Sequence, residues 1–309
     1  MLTAARLTYR INRFEVRAVV AATVLSVVVT ALVLAWMRNS GYDRCLQLDG
    51  TVEIRPVCFD LQDLGGWMSK IASRSQNLAG FFPVLAGLLL GAPLIARELD
   101  RGTARLAWSL GPSRPRWYLQ RVLPVLLVAV VTAMVIGVVS EQLVSLFAPG
   151  IDLTRSFVGF HTRGVLLATG ALLVTSVAVA VGSVVGRQMP TILLALILGG
   201  LTPLAITAVD QKLLANETVR LTGENQYTND LIVGEGRLEL PDGRLVTWDE
   251  LVAIDPTVMD QGFDYPYVQF GIPRERYREI ETREAIAQVV LALLFLGAGG
   301  LVVSRRRPG

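Results

Sequence analysis

The chain has 309 residues, of which 52% are hydrophobic and 18% charged, and its mean hydropathy is +0.50. A soluble domain of this length is far less apolar, so a freely soluble enzyme or binding module is excluded. The formal charge is only +3, and no nucleic acid is expected as a partner.

Apolar residues are clustered. Uncharged runs of about 18 or more residues are long enough to cross a hydrocarbon core of about 30 Å as helices. Six such runs are present, at 18–36, 78–96, 122–140, 164–186, 191–209 and 285–303. Ahead of the first, residues 2–17 alternate Leu2, Ala5, Leu7, Ile11 and Phe14 with Arg6, Arg10, Arg13 and Arg17 at helical spacing. This pattern predicts an interfacial helix with its arginines at the headgroups, the alternative being a basic cap on the first span. The first run is too long for a signal-peptide core and lacks a clear cleavage site, so it is expected to be retained.

The loop 37–77 holds both cysteines, Cys45 and Cys58. Placed outside the cytoplasm, they are expected to pair in a disulfide closing a small loop, the alternative being two unpaired thiols. After the second run comes Arg97-Glu98-Leu99-Asp100-Arg101-Gly102-Thr103-Ala104-Arg105-Leu106. A short amphipathic helix is expected at about 97–107, with Leu99, Leu106 and Trp108 toward lipid or protein and the charged groups toward the cytosol. An ordinary charged loop is the competing reading.

The third run is expected to end near Ser140, ahead of Glu141, with 143–148 lying along the surface until Pro149-Gly150. The fourth and fifth runs are separated only by Arg187-Gln188-Met189-Pro190, which makes them antiparallel neighbours with Pro190 in a helical first turn. Gly199-Gly200 and Pro203 predict a kink or break in the fifth run. Two small-xxx-small pairs, Gly87/Gly91 and Gly182/Gly186, permit close helix approach, within the chain or at a dimer seam.

The acidic segment 210–283 is too long and too patterned for a linker. Residues 237–247 alternate around Pro241-Asp242-Gly243 and predict a β-hairpin. Residues 274–284 are helix-permissive and run into the sixth span. The segment reads as a small α+β cap, serving equally as a recognition surface or as a structural lid. The expected domains are therefore 1–209, 210–283 and 284–309.

Arginines concentrate in 1–17, 97–121, 187–190 and 304–309, whose only acids are Glu15, Glu98 and Asp100. Positive charge stays cytoplasmic, so both termini are expected inside and the cap outside. Lysine occurs only at Lys70 and Lys212; this arginine bias suggests a GC-rich bacterial genome, and hence a bacterial inner membrane.

Catalytic chemistry has no visible home. No P-loop pattern is present, and the single histidine, His161, has no histidine or cysteine nearby to build a metal site. No nucleophile triad can be assembled, and neither a catalytic, a cofactor nor a metal residue is expected. The six runs contain no ionisable residue, whereas ion-coupled carriers place acids or histidines there; a transporter of this composition needs an outside energy source. Glu141, at a span end, is the one acid to consider.

Glu98-x-x-x-Gly102-Thr103 after the second of six spans, followed by Pro112-Ser113-Arg114 and Trp117-Tyr118, resembles the permease subunits of type 2 ABC exporters. The resemblance covers the topology as a whole; the long 210–283 segment departs from many members. It implies an all-α polytopic fold and a coupling helix carrying Arg97, Glu98, Asp100, Arg101, Gly102 and Thr103. It also implies a second permease, identical or homologous, and a separate cytosolic ATPase in two copies that holds ATP and Mg, so that this chain is not itself an enzyme. The apolar spans favour export of a hydrophobic or amphipathic compound, such as a drug, peptide or lipid. A sensor or scaffold whose cap binds a ligand is the alternative.

Overall fold

The computed structural model describes residues 12–40, 77–110, 113–147, 152–221, 229–254 and 266–306, with 67, 70 and 74 alone. Cys45, Cys58 and most of the expected interfacial helix lie outside the described residues. Among the described residues, six helices are long and apolar enough to cross a membrane. We label the helices α1 (Arg13–Ser40), α2 (Asn77–Asp100), α3 (Thr103–Leu110), α4 (Arg114–Phe147), α5 (Gly164–Val185), α6 (Gln188–Leu214), α7 (Trp248–Ile254) and α8 (Tyr277–Arg305). All six expected spans are present, so the all-α polytopic reading holds.

The chain divides into two compact units. The first comprises residues 1–150, 159–204 and 281–309, and the second 151–158 and 205–280.

In the first unit α5 is the central helix, apolar and largely buried against α2 and α4. Close approach is set by small residues. A Cβ on Gly87 would lie 2.8 Å from Val174 Cγ1, and one on Gly91 2.8 Å from the Thr175 carbonyl. One on Gly182 would lie 3.2 Å from the Ala92 carbonyl. These three glycines therefore pack α2 against α5 within the chain. Gly87–Gly91 also forms one π-helical turn inside α2, a wider turn that re-aims the side chains beyond it. Gly186 has φ +66° and ends α5 in the left-handed conformation that glycine adopts without strain. Buried hydroxyls inside the spans donate back along their own helices, as Ser176 does to Leu172 O (2.6 Å) and Ser183 to Val179 O (2.9 Å). Helices α1, α6 and α8 expose leucine and valine along much of their length, as spans facing lipid or another subunit do.

Four local expectations need correction. Residues 13–17 are not a separate interfacial segment but the first turns of α1, because nothing in Arg13–Ala18 breaks the helix. Helix α4 does not stop at Ser140. It runs through Glu141 to Phe147, with Leu143 and Val144 buried, because the carboxylate lies 3.8 Å from the buried Arg163 guanidinium. Of the kink or break expected in the fifth run, the break does not occur: α6 is continuous past Gly199-Gly200 and Pro203, and Gly199 lets Val174 approach. Finally, the expected single helix over about 97–107 is two helices. Span α2 continues to Asp100, and Arg101-Gly102 forms a turn in which Gly102 has φ +71°; α3 then begins at Thr103.

The second unit holds β1 (Val219–Leu221), β2 (Leu231–Ile232), β3 (Arg237–Glu239), β4 (Leu245–Val246) and β5 (Tyr267–Ile272). The order is β1-β5-β3-β4, all antiparallel, with β2 also pairing β5. The expected hairpin is β3–β4, in register Leu238↔Val246, and its turn places Gly243 at φ +82°. Leu238, Leu240, Val246 and Leu251 form its small core. Helix α7 starts with a reciprocal capping box: Thr247 N donates to Glu250 Oε2 (2.8 Å) and Glu250 N to Thr247 Oγ1 (3.3 Å). Residues 151–158, which the sequence reading leaves outside the cap, belong to this unit. Phe157 N donates to Asn229 O at 2.9 Å and its ring meets Tyr277 edge-on at 5.3 Å.

Candidate coupling surface

At one end of the first unit the N-termini of α1, α4 and α6 meet the C-termini of α2, α5 and α8. The residues expected to form a coupling helix sit here, and three of them, Arg97, Glu98 and Asp100, each tether a different neighbour.

Arg97 reaches α1. Its guanidinium donates to Glu15 Oε1 at 2.8 Å and to Asn12 Oδ1 at 2.5 Å. Glu98 reaches α4, with Oε1 at 3.1 Å from Arg121 Nε and Oε2 accepting from Arg121 Nη2 at 3.5 Å. Both side chains of that pair are nearly withdrawn from solvent, at 9% exposure for Glu98 and 12% for Arg121. The expectation that Arg97 and Glu98 face the cytosol is thus corrected. A carboxylate tolerates this burial only because a guanidinium fork meets it. Asp100 reaches α6, where its Oδ2 accepts from Gln188 N at 3.3 Å. A carboxylate there satisfies an open N–H of the first turn and complements the helix dipole.

The turn itself faces outward. Asp100, Arg101, Gly102 and Thr103 are exposed, as are Arg105 and Leu106 on α3. Thr103 Oγ1 donates to Glu98 O at 3.2 Å, linking the first residue of α3 to the end of α2. On its inner side α3 places Ala104 in the core and stacks Trp108 edge-on against Trp117 of α4, at 5.7 Å and 85°. Arg114 closes the arrangement. Its guanidinium lies over the Trp108 ring at 4.9 Å and donates to Ser304 O (3.1 Å) and Arg306 O (2.7 Å) at the end of α8. Arg306 in turn donates to Ser183 O of α5 at 3.0 Å. Through these contacts the Arg101-Gly102 turn and α3 are connected to all the other spans.

Sequence reading identified the turn but not its partners. Asn12, Glu15, Arg121 and Arg306 lie far from it in sequence, and although all four fall in the arginine-rich stretches singled out, nothing in the sequence pairs them with the turn. At the opposite ends of α5 and α8 a second polar cluster was also missed. His161 Nε2 lies 3.0 Å from Oε1 of the buried Glu284, which accepts from Gln288 Nε2 at 2.8 Å. Thr169 donates to Gln288 Oε1 at 2.5 Å. Glu284 directly precedes the apolar run of the last span, and burial of an acid at a span edge leaves no periodic signal.

No curated protein matches the chain. A family model does match: ABC-2 membrane transporter related, over residues 16–209, which spans α1 through most of α6 and includes the Arg97–Thr103 segment and α3. The chain is therefore a multi-pass membrane protein and belongs to the ABC-2 membrane transporter related family, whose members are permease subunits of ABC transporters.

Proposed function

We propose that this chain forms the translocation path of an ABC exporter and is driven by a separate cytosolic ATPase that docks on the Arg101-Gly102 turn and α3. The observation that carries this reading is the division of labour at that turn. Arg97, Glu98 and Asp100 tether it to α1, α4 and α6, whereas Arg101, Gly102, Thr103, Arg105 and Leu106 point outward. A surface fixed to so many helices moves them when it is moved, which is what coupling to an external motor requires. Of the residues implied by the resemblance, Arg97, Glu98 and Asp100 are positioning residues, and Arg101, Gly102 and Thr103 form the contact.

The assembly contains two permeases and two ATPases; ATP and Mg are held on the ATPase chains, and hydrolysis occurs there. The coupling surface and both termini face the cytoplasm of a bacterial inner membrane, in keeping with the arginines exposed at this end. The cargo is a hydrophobic or amphipathic compound, because the spans expose leucine and valine and their six apolar runs contain no ionisable residue to bind a sugar or ion.

The test is site-specific photo-crosslinking from position 105 or 106 in native membranes. The expected product is a soluble chain carrying a P-loop, absent when the photoprobe is placed at exposed Ile254 of the second unit. Equal capture from both positions, or none from 105 and 106, contradicts the docking. For the cargo, ATP hydrolysis by the purified complex is expected to respond to a panel of amphipathic compounds. A flat response contradicts export of that class.

A further inference from the structure

The second unit contains a hollow of about 530 Å³ lined by Thr154, Arg155, Arg274, Glu275, Tyr277 and Arg278. Half of these residues are arginines, although the surrounding segment is acidic. They come from two stretches distant in sequence: a short turn at Leu153–Arg155 and the run Arg274–Arg278 that opens the last span.

The donors in the hollow are only partly used. The Arg155 guanidinium makes no hydrogen bond or ion pair among the described residues. Arg274 engages Glu275 only through Nε, at a long 3.4 Å, which leaves the terminal fork of its guanidinium without a hydrogen-bond partner among the described residues. Arg278 lies over the rim of the Tyr277 ring, 6.0 Å from its centroid. The buried Tyr277 and its edge-on contact with Phe157 hold the floor in place. Two further acids nearby are already engaged: Asp152 Oδ1 accepts from the Thr154 hydroxyl at 2.7 Å and from its backbone N–H at 3.0 Å, and Asp230 Oδ1 accepts from the backbone N–H of Arg274 at 2.8 Å.

Guanidinium forks converging on one hollow match the oxygens of a phosphate group, which accept two parallel N–H bonds from each arginine. The site is also at the very start of a membrane span, where headgroups lie. We propose that this hollow binds a phosphate-bearing anion, held by Arg155 and Arg274 with Arg278 adding charge. Two sources offer that chemistry, the headgroup of an anionic lipid and a soluble phosphate ester. This site is independent of the coupling surface and of any ATPase.

The experiment uses the purified full chain in detergent, without an ATPase. Binding of short-chain phosphatidylglycerol, short-chain phosphatidylcholine and glycerol phosphate is followed by native mass spectrometry and by titration of tryptophan fluorescence. Saturable binding of phosphatidylglycerol is expected, weakened more than tenfold in the Arg155→Ala/Arg274→Ala variant and restored in part by lysine at both positions. Glu275→Gln removes the acid from the wall and is expected to tighten binding, a gain that misfolding cannot imitate. If glycerol phosphate competes, the phosphate alone is read; if only phosphatidylglycerol binds, the source is lipid. Binding that is equal for phosphatidylcholine, or unchanged in both the double alanine and the Glu275→Gln variants, overturns the proposal.

Discussion

Glu98 turns away from the exposed turn that follows it and closes an ion pair on Arg121, with Oε1 3.1 Å from Nε and both side chains nearly buried. The pair joins the last turn of the second span to the first turns of the third. Removing one partner leaves an uncompensated buried charge, which costs about 3–5 kcal/mol, whereas replacing both with apolar groups of similar volume is close to neutral. Glu98→Ala is therefore expected to lower the melting temperature of the purified chain strongly. Glu98→Leu/Arg121→Met is expected to recover most of it. A thermal melt of the three proteins checks this. Recovered stability without recovered ATP-driven activity would separate the role of the pair in coupling from its role in folding.

Asp100 has a smaller and more specific effect. It is exposed, and its contact is a single hydrogen bond to the first turn of α6. Asp100→Ala is expected to cost about 1 kcal/mol, the usual value of a lost helix cap, and Asp100→Asn less. Amide hydrogen exchange at Gln188–Thr191 is the readout, with faster exchange expected in the alanine variant.

Gly91 in α2 and Gly102 in the turn after it separate packing from backbone conformation. At Gly91 a Cβ meets the Thr175 carbonyl at 2.8 Å and the Ala178 Cβ at 2.9 Å, so Gly91→Ala forces α2 off α5 at a cost of about 1–3 kcal/mol. At Gly102 a Cβ meets nothing within 4 Å, and only the positive φ is at issue. Gly102→Asn is therefore expected to be better tolerated than Gly102→Val, since asparagine enters the left-handed region at lower cost. Expression level and melting temperature of the three variants distinguish these cases.

The six spans and the β3–β4 hairpin were legible because each rests on a local signal: length of an uncharged run, or alternation about Pro241-Asp242-Gly243. The coupling turn was legible as a position but not as a structure. Gly102 marked a turn, yet a run of alternating charge does not say which charges point inward. Glu98 lies inside because Arg121, 23 residues on, meets it there, and Arg97 because Asn12 and Glu15 do. The same reason explains Glu141: the acid was read as a helix end, but Arg163 compensates it and the helix continues. The contribution of 151–158 to the second unit was hidden for want of any periodicity in so short a stretch.

The capping box of α7 predicts an acid-sensitive element. Thr247 holds the Glu250 carboxyl below the usual carboxylate range, chiefly through its backbone N–H and then through its hydroxyl. A carboxyl with a lowered folded-state pKa adds stability above its unfolded value, and that stability is lost as pH falls through the lower, folded value. Protection of the amides in Trp248–Ile254 is thus expected to be full near neutral pH and to fall in the acid range below the ordinary glutamate pKa. Glu250→Gln is expected to flatten that dependence. Hydrogen exchange, corrected for the intrinsic rate at each pH, measures it.

The central claim is that an ATPase docks on the outward face of the Arg101-Gly102 turn. The most direct measurement is affinity purification of the full chain from its native membrane, alongside an Arg101→Glu/Arg105→Glu variant, with every co-purifying chain identified and quantified. The account predicts a soluble P-loop ATPase in a one-to-one ratio with the wild-type chain, and its loss from the charge-reversed variant while the permease itself stays folded and in the membrane. A wild-type chain that purifies without any ATPase, or an ATPase retained equally by the reversed variant, contradicts it.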